Sequence, residues 1–86
     1  MFALIWKIAT LDVLADLYVA AGPGERERMA AGVEALNARR RSSPHDEGES
    51  RSNGFRVAFP PLLAVFFHVS EADRVVRVVR VQRYGR

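Results

Sequence analysis

The sequence predicts a single α+β domain over residues 1–86, with elements in the order β-α-α-β-β-β. Three observations lead to this class: an apolar N-terminal run followed by two helical patterns, a polar interruption at 44–54, and three strand-like segments after it. A domain of this size buries about 60–65% of its unfolded surface, which supplies one core and not two. We therefore expect a small, mostly antiparallel sheet with an N-terminal helical hairpin on one face.

The first half of the chain carries the patterns of one strand and two helices. Residues 2–8 form a bulky apolar run, typical of a buried strand. Thr10 is expected to cap the first helix, and Gly22 is expected to end it in the left-handed conformation. A second helix is predicted from near Pro23 up to the Ser43-Pro44 pair, which stops it. The short connection between the two helices predicts an antiparallel hairpin.

The second half reads as a loop and three strands. Residues 44–54 are polar and rich in turn formers, and so predict a loop of about ten residues. Residues 55–59 alternate as a half-buried strand does, and Pro60-Pro61 marks a turn. Residues 62–69 form an apolar run broken only by His68, as expected for a central strand covered on both faces, and 74–81 are rich in β-branched valine. Trp6 and the phenylalanines are expected in the core.

Arginine recurs every three residues in the last of these segments. In an unbroken strand, that spacing places Arg74 and Arg80 on one face and Arg77 on the other. The net charge of +3 is concentrated in the same region, because residues 51–86 carry seven Arg against two acids, or +5. Such a surface predicts an anionic partner, either nucleic acid or an acidic protein segment.

Composition excludes several classes of site. The absence of cysteine excludes a disulfide framework and a thiolate metal site, and no cofactor or metal is expected. The longest apolar run is broken by two prolines and is shorter than the roughly 20 residues that a membrane span requires. The N-terminal segment lacks the basic start of a secretory signal. We expect a cytoplasmic protein that does not enter the membrane.

Three stretches together are similar to a known family. A helical hairpin is followed by a basic loop reaching Arg51, then by GFRVAF with Arg56 and an apolar strand, and last by DRVVRVVRV and the basic end QRYGR. This arrangement resembles the RelE/ParE superfamily, the small toxins of bacterial type II toxin–antitoxin operons. The stretch GESRSNGFRVAFPPLLAVFF resembles a divergent subgroup.

The resemblance implies a toxin held inactive by a cognate antitoxin, which is a separate protein. Ribosome-dependent members of the superfamily cut mRNA without metal, which implies the ribosome and mRNA as further partners. Other members poison DNA gyrase and are not nucleases. The expected function is mRNA cleavage, and the alternatives are a gyrase inhibitor or a non-toxic, protein-binding member of the fold.

Metal-free RNA cleavage requires a base, cationic groups around the phosphate and an acid. Arginine binds phosphate but is too basic for ready proton transfer, so Arg51, Arg56 and Arg83 are predicted phosphate contacts that converge on one site. By resemblance, Arg56 falls on the family's phosphate-binding position, and Arg83 and Tyr84 fall near its C-terminal catalytic groups. Candidate acids and bases are Glu49, His45, His68 and Tyr84.

Each of these residues also has a structural interpretation, such as an ion pair between Glu49 and Arg51 or a core position for His68. The predicted catalytic set is Arg56, Arg83, Tyr84 and Glu49. The predicted nucleic-acid contacts are Arg51, Arg56, Arg80, Arg83, Arg40 and Arg41.

Overall fold

A computed structural model describes residues 2–42, 49–50 and 54–85, with the backbone alone at 40–42 and 49–50. The elements in chain order are β1 (Ala3–Trp6), α1 (Ile8–Ala20), α2 (Pro23–Ser42), β2 (Glu49–Ser50), β3 (Phe55–Ala58), β4 (Leu63–Ser70) and β5 (Val75–Arg83). The described strands form one mixed sheet in the order β1-β5-β4-β3-β2. β1 pairs parallel to β5, and the other neighbours are antiparallel. The predicted α+β class is confirmed, and the short β2 lies within the region predicted as loop.

The helices pack against one face of the sheet, which we call the covered face; the opposite side is the open face. Alternate residues of β4 enter the core on the covered face: Leu63, Val65, Phe67 and Val69. They meet Met29 and Leu36 of α2, which are almost completely buried. Full burial of a side chain such as Phe67 contributes about 2–3 kcal/mol. The covered face therefore holds the main core, and on the opposite side Val57 and Ala64 are also almost completely buried.

Both ends of α1 differ from the prediction. The strand β1 ends at Trp6, and the helix begins at Ile8 with Lys7 in an extended conformation at its N-cap. Thr10 lies inside the helix and is buried, so its predicted capping role is wrong. Only Lys7 separates the strand from the helix, so the helix begins before it reaches Thr10.

The connection between the helices is built around Gly22, which is the N-cap of α2. Its carbonyl accepts the first helical hydrogen bond, from the Arg26 N–H at 2.8 Å. The predicted left-handed conformation at Gly22 is not found, because α1 ends in extended backbone at Ala21. The Arg26 side chain instead satisfies the end of α1, donating to the Tyr18 carbonyl at 2.8 Å and the Ala21 carbonyl at 3.1 Å.

The predicted turn at Pro60-Pro61 is confirmed, and α2 rests against it. The Leu63 N–H donates to the Pro60 carbonyl at 3.0 Å, and Leu62 adopts a φ of 67°. A left-handed conformation costs a non-glycine residue about 1–2 kcal/mol. A Cβ atom at Gly32 of α2 would lie 2.5 Å from Cδ of Pro61. The helix therefore approaches the turn this closely because position 32 is glycine.

An irregularity in the β4–β5 pairing changes the side of the sheet on which the arginines of β5 lie. Phe66 pairs with Arg80 and Phe67 pairs with Val78, so Val79 is an extra residue in β5. His68 pairs with Arg77 beyond this bulge. Arg77 and Arg80 therefore share the open face, whereas an unbroken strand would have separated them, and the predicted placement is wrong.

Arg74 does not belong to β5. It lies in the preceding turn with a φ of 54°. Its guanidinium lies 5.3 Å from the ring centroid of Phe2, a residue of the core on the covered face. Its predicted position on one face of the strand together with Arg80 is therefore also wrong.

Candidate nucleic-acid interface

The open face carries two cross-strand rows of side chains that include arginine. Directly paired residues on neighbouring strands project from the same side of a sheet. The first row runs from Phe55 through His68 to Arg77. The second row runs from Val57 through Phe66 to Arg80. The two rows are two residues apart along β4, a separation of about 7 Å.

The first row joins an aromatic ring, an imidazole and a guanidinium. The ring centroids of Phe55 and His68 are 4.7 Å apart and the ring planes are tilted by 57°. His68 is half-buried, whereas Phe55 is 42% exposed and Arg77 is exposed. The row therefore presents an apolar ring and a cation on either side of the imidazole.

The second row fixes the position of a second guanidinium. Cζ of Arg80 lies 5.5 Å from the ring centroid of Phe66, the geometry of a cation–π contact. Among the residues that the structure describes, no carboxylate pairs with Arg77 or Arg80. Within the described part of the chain, both side chains are therefore candidates for binding an anion.

An exposed aromatic pair lies at the far end of the sheet, where the C-terminal end of β5 lies next to the Pro60-Pro61 turn between β3 and β4. The rings of Phe59 and Tyr84 are 4.7 Å apart, and the two residues are 44% and 55% exposed. The Tyr84 N–H donates to the Leu62 carbonyl at 2.9 Å, which anchors this end of the chain. The predicted catalytic residue Tyr84 is accessible, but it lies at the opposite end of the strands from the first row.

Arg83, a predicted catalytic residue and phosphate contact, lies on the other side of the sheet. It pairs in register with Leu63, whose side chain is in the core. Its Nη2 atom is 3.0 Å from Oε2 of Glu25, and each side chain is 36% exposed. The contact ties the end of β5 to the start of α2.

Glu25 has a second role at the same place. Its Oε1 atom accepts a hydrogen bond from the Gly22 N–H at 3.4 Å, as the glutamate of a capping box does. The hydrogen bond from Arg83 is the largest cause that lowers the pKa of the Glu25 carboxyl below its ordinary value, and the Gly22 bond adds to it. Both interactions favour the charged carboxylate, and they give Arg83 a structural partner.

Arg56 is likewise directed away from the open face. It pairs in register with Phe67, which is fully buried on the covered face, and is itself half-buried. The expected convergence of Arg51, Arg56 and Arg83 is therefore not found. Arg56 and Arg83 project from the side opposite Arg80, and Arg51 lies outside the described residues.

Other predicted site residues are placed only in part. Glu49 is described by its backbone, which pairs with Val57. Arg40 and Arg41 lie in the last turn of α2, also described by backbone alone, and His45 lies outside the described residues. The roles proposed for these residues remain predictions.

Sequence reasoning missed part of the open face. Arg77 was not among the predicted site residues, and Phe55 and Phe59 were expected in the core although both are exposed. The alternation of residues 55–59 had placed these two rings on one side of the strand, which the register supports for Phe55. This alternation does not indicate which side of the strand the helices cover, so it could not predict that the two rings are exposed.

The described residues contain no enclosed site of another kind. No group of three or more His, Asp or Glu side chains among them is placed to hold a metal ion, and they enclose no detectable pocket. None of the helices in the described part of the chain is long and apolar enough to cross a membrane. The candidate interface is the open face, because it carries the two rows that include Arg77 and Arg80.

Comparison with known proteins identifies the fold. No protein-family model and no curated protein sequence matches the chain. The isolated RelE toxin of E. coli superposes with a TM-score of 0.69 at 14% identity, covering 100% of this chain and 87% of that one.

Two further structures agree with this result. A chain from the chromosomal ParDE toxin–antitoxin system of P. aeruginosa gives a TM-score of 0.68 at 20% identity, covering 99% of this chain and 98% of that one. A double arginine-to-alanine variant of E. coli RelE in the free state gives 0.59 at 14% identity, covering 95% of this chain and 82% of that one. As the sequence resemblance predicted, the chain has the RelE/ParE fold.

Proposed function

We propose that this protein is the toxin of a type II toxin–antitoxin pair and that it cleaves mRNA on the ribosome. One observation carries the proposal: Arg77 and Arg80 project together from the side of the sheet that no described helix covers, the side that also presents the exposed ring of Phe55. The shared fold with RelE and with a chain of a ParDE system supports the toxin assignment. A cognate antitoxin is the expected partner.

The chemistry of the open face suits a single-stranded RNA. Guanidinium groups bind phosphate oxygens through paired hydrogen bonds. Exposed rings such as Phe55, Phe59 and Tyr84 offer stacking surfaces to unpaired bases, whatever their sequence. Both kinds of group lie on the side of the sheet that no described helix covers, where an extended strand can contact them. Arg56 and Arg83 are left with secondary roles in this proposal.

The test is cell-free translation with the purified protein, followed by mapping of mRNA ends. We expect new ends within translated messages when ribosomes are present. The Arg77→Ala/Arg80→Ala variant should lose most of this cleavage, because it loses both cations of the open face. The matched control is Arg28→Ala/Arg74→Ala, which removes the same charge from α2 and from the turn beside Phe2 and should cleave normally.

The same variants give a test in cells. Expression without an antitoxin is expected to arrest growth, and Arg77→Ala/Arg80→Ala is expected to relieve the arrest. Arg56→Ala, at the position that the resemblance assigns to phosphate binding, should relieve the arrest less than Arg77→Ala/Arg80→Ala does if the open face binds RNA. Unimpaired growth with well-folded wild-type protein would count against a toxin.

A gyrase inhibitor without nuclease activity is the second candidate. The observation that favours it is the ion pair between Arg83 and Glu25. The resemblance assigns Arg83 to catalysis, but in this structure its guanidinium is bound to a carboxylate. A protein that only binds its target needs no acid or base. Inhibition of DNA supercoiling by gyrase, together with intact mRNA in the translation assay, would favour this function over RNA cleavage.

A further inference from the structure

His68 is the only histidine among the residues that the structure describes, and it occupies the centre of the candidate interface. It lies on β4, the middle strand of the sheet, with its side chain half-buried on the open face. An imidazole can accept and release a proton near neutral pH, which arginine cannot. The surroundings of His68 therefore decide whether the open face can do chemistry as well as bind.

Two guanidinium groups lie on one side of the imidazole. Arg77 is its direct cross-strand partner, and the Cβ atoms of such pairs are about 4.5–5.5 Å apart. Arg80 follows on the same strand, opposite the residue two positions before His68. A phosphate held by these arginines lies within reach of the imidazole, so its neighbouring ribose 2′-hydroxyl does too.

The other side of the imidazole is constrained by β3. The Phe55 ring, 4.7 Å away between centroids, limits rotation of the His68 side chain. Gly54 precedes it with a φ of +81°, and a Cβ atom there would lie 3.4 Å from Nε2 of His68. The same Cβ position would lie 2.9 Å from the Val69 carbonyl oxygen, so only glycine fits here. The backbone of Gly54 therefore packs against the imidazole and, with the Phe55 ring, holds it in place.

The other described proton-transfer candidate on this side of the sheet is too far away. Tyr84 is anchored opposite Leu62, which lies six residues before His68. At about 3.3 Å per residue in a strand, this places the backbones of the two residues about 20 Å apart along the sheet. Of the two, His68 is the residue that the arginine pair adjoins.

We propose that His68 takes the proton from the ribose 2′-hydroxyl, an inference that rests on the proposed RNA cleavage. The 2′-oxygen then forms a bond to phosphorus while the bond from phosphorus to the 5′-oxygen breaks. Water protonates the departing 5′-oxygen, and the resulting hydroxide takes the proton from the imidazolium. The products are a 2′,3′-cyclic phosphate and a 5′-hydroxyl, and His68 returns to its starting form.

The experiment compares wild type, His68→Ala and His68→Gln in the ribosome cleavage assay, with RNA affinity and thermal unfolding measured for each. We expect both variants to bind RNA as wild type does and to cleave about 100-fold more slowly or worse, the usual effect of losing a general base. Added imidazole should restore part of the rate of His68→Ala, because the alanine leaves space for it. Pyrazole, which has the same shape but is a far weaker base, should not.

The outcomes separate this inference from the function on which it rests. If wild-type protein produces no mRNA ends, the cleavage function fails. If wild type cleaves and both variants cleave at the same rate, the role of His68 is overturned. Slow cleavage by folded His68→Ala that imidazole does not restore also overturns it, since the residue then acts by supporting the structure. His68→Gln retains volume and hydrogen bonding, which keeps the test open should the alanine variant unfold.

Discussion

The two faces of the sheet hold their arginines in different ways, and β5 contributes to both. On the covered side, Arg83 is bound to Glu25 at 3.0 Å and joins a strand to a helix. On the open side, Arg77 and Arg80 have no carboxylate partner among the described residues. Arg83 stabilises the packing of a strand on a helix, whereas Arg77 and Arg80 are the cations to which we assign the binding of an external anion.

The difference comes from the bulge at Val79 and not from the arginine spacing itself. Arginine recurs at every third position from 74 to 83. One extra residue in the strand brings the second and third arginines onto the same side, and regular alternation then returns the fourth, Arg83, to the covered side. The backbone register therefore determines which arginines lie on the side of the helices and which lie on the opposite side.

Adjacent phenylalanines in β4 offer the largest test of this division. Phe67 is fully buried on the covered face, and Phe67→Ala should lower the free energy of unfolding by about 3–5 kcal/mol through the cavity it leaves. Phe66 is half-buried on the open face, and Phe66→Ala should cost about 1–2 kcal/mol. Chemical denaturation of both variants measures the difference. Equal losses would contradict the assignment of the two faces.

A second test concerns how α2 is seated on the covered face. In Gly32→Ala, the new methyl group would lie 2.5 Å from Pro61 and 3.1 Å from Cβ of Pro60, and both rings are rigid. We expect a loss of about 1–3 kcal/mol from overpacking, despite the better helix propensity of alanine. Gly24→Ala is the matched control, because nothing lies within 4 Å of its Cβ position. A Gly32→Ala protein as stable as this control would show that the helix moves away freely.

The element order of the fold could be predicted from the sequence because it depends on local hydrophobic patterns. The apolar run at 62–69, the Pro60-Pro61 turn and the start of the second helix at Pro23 each carry their own signal. Thr10 misled the prediction, because a residue suited to capping lies two positions beyond the true start of α1.

The candidate site was less predictable because it depends on contacts between distant residues. Nothing in a valine-rich strand indicates where one extra residue enters, so Arg77 was assigned to the wrong face. The partner of Arg83 lies 58 positions earlier in the chain, and no local pattern links the two. Phe55 and Phe59 were predicted in the core because their side chains are apolar. Which side of the strand is exposed depends on where the helices pack, and the strand's own sequence does not show this.

The salt dependence of RNA binding provides a further test of the two faces. Each phosphate contact of a single strand contributes about 0.7 to the slope of log affinity against log salt concentration. Arg77→Ala/Arg80→Ala should therefore reduce that slope by about 1.4, as measured by fluorescence anisotropy with a single-stranded RNA. Arg28→Ala/Arg74→Ala should leave the slope unchanged. Similar slopes for wild type and the open-face variant would show that these arginines do not contact phosphate.

The smallest expected effect lies in the Arg83–Glu25 contact on the covered side. Since the folded-state pKa of Glu25 is lowered, its charged form stabilises the protein above the ordinary carboxyl pKa, and this contribution is lost as pH falls through the folded-state value. Glu25→Gln should therefore lower the melting temperature slightly at neutral pH. In acid, well below the ordinary carboxyl range near pH 4, the two proteins should melt together.

Glu34 provides the matched control for this pH dependence. It is an exposed carboxylate on the same helix, and Glu34→Gln should melt like wild type at both pH values. A Glu25→Gln difference that persists unchanged in acid would show that the substitution acts through the cap of α2 or through packing. The ion pair with Arg83 would then not be what joins β5 to the helix, and Arg83 would again be a candidate for binding phosphate.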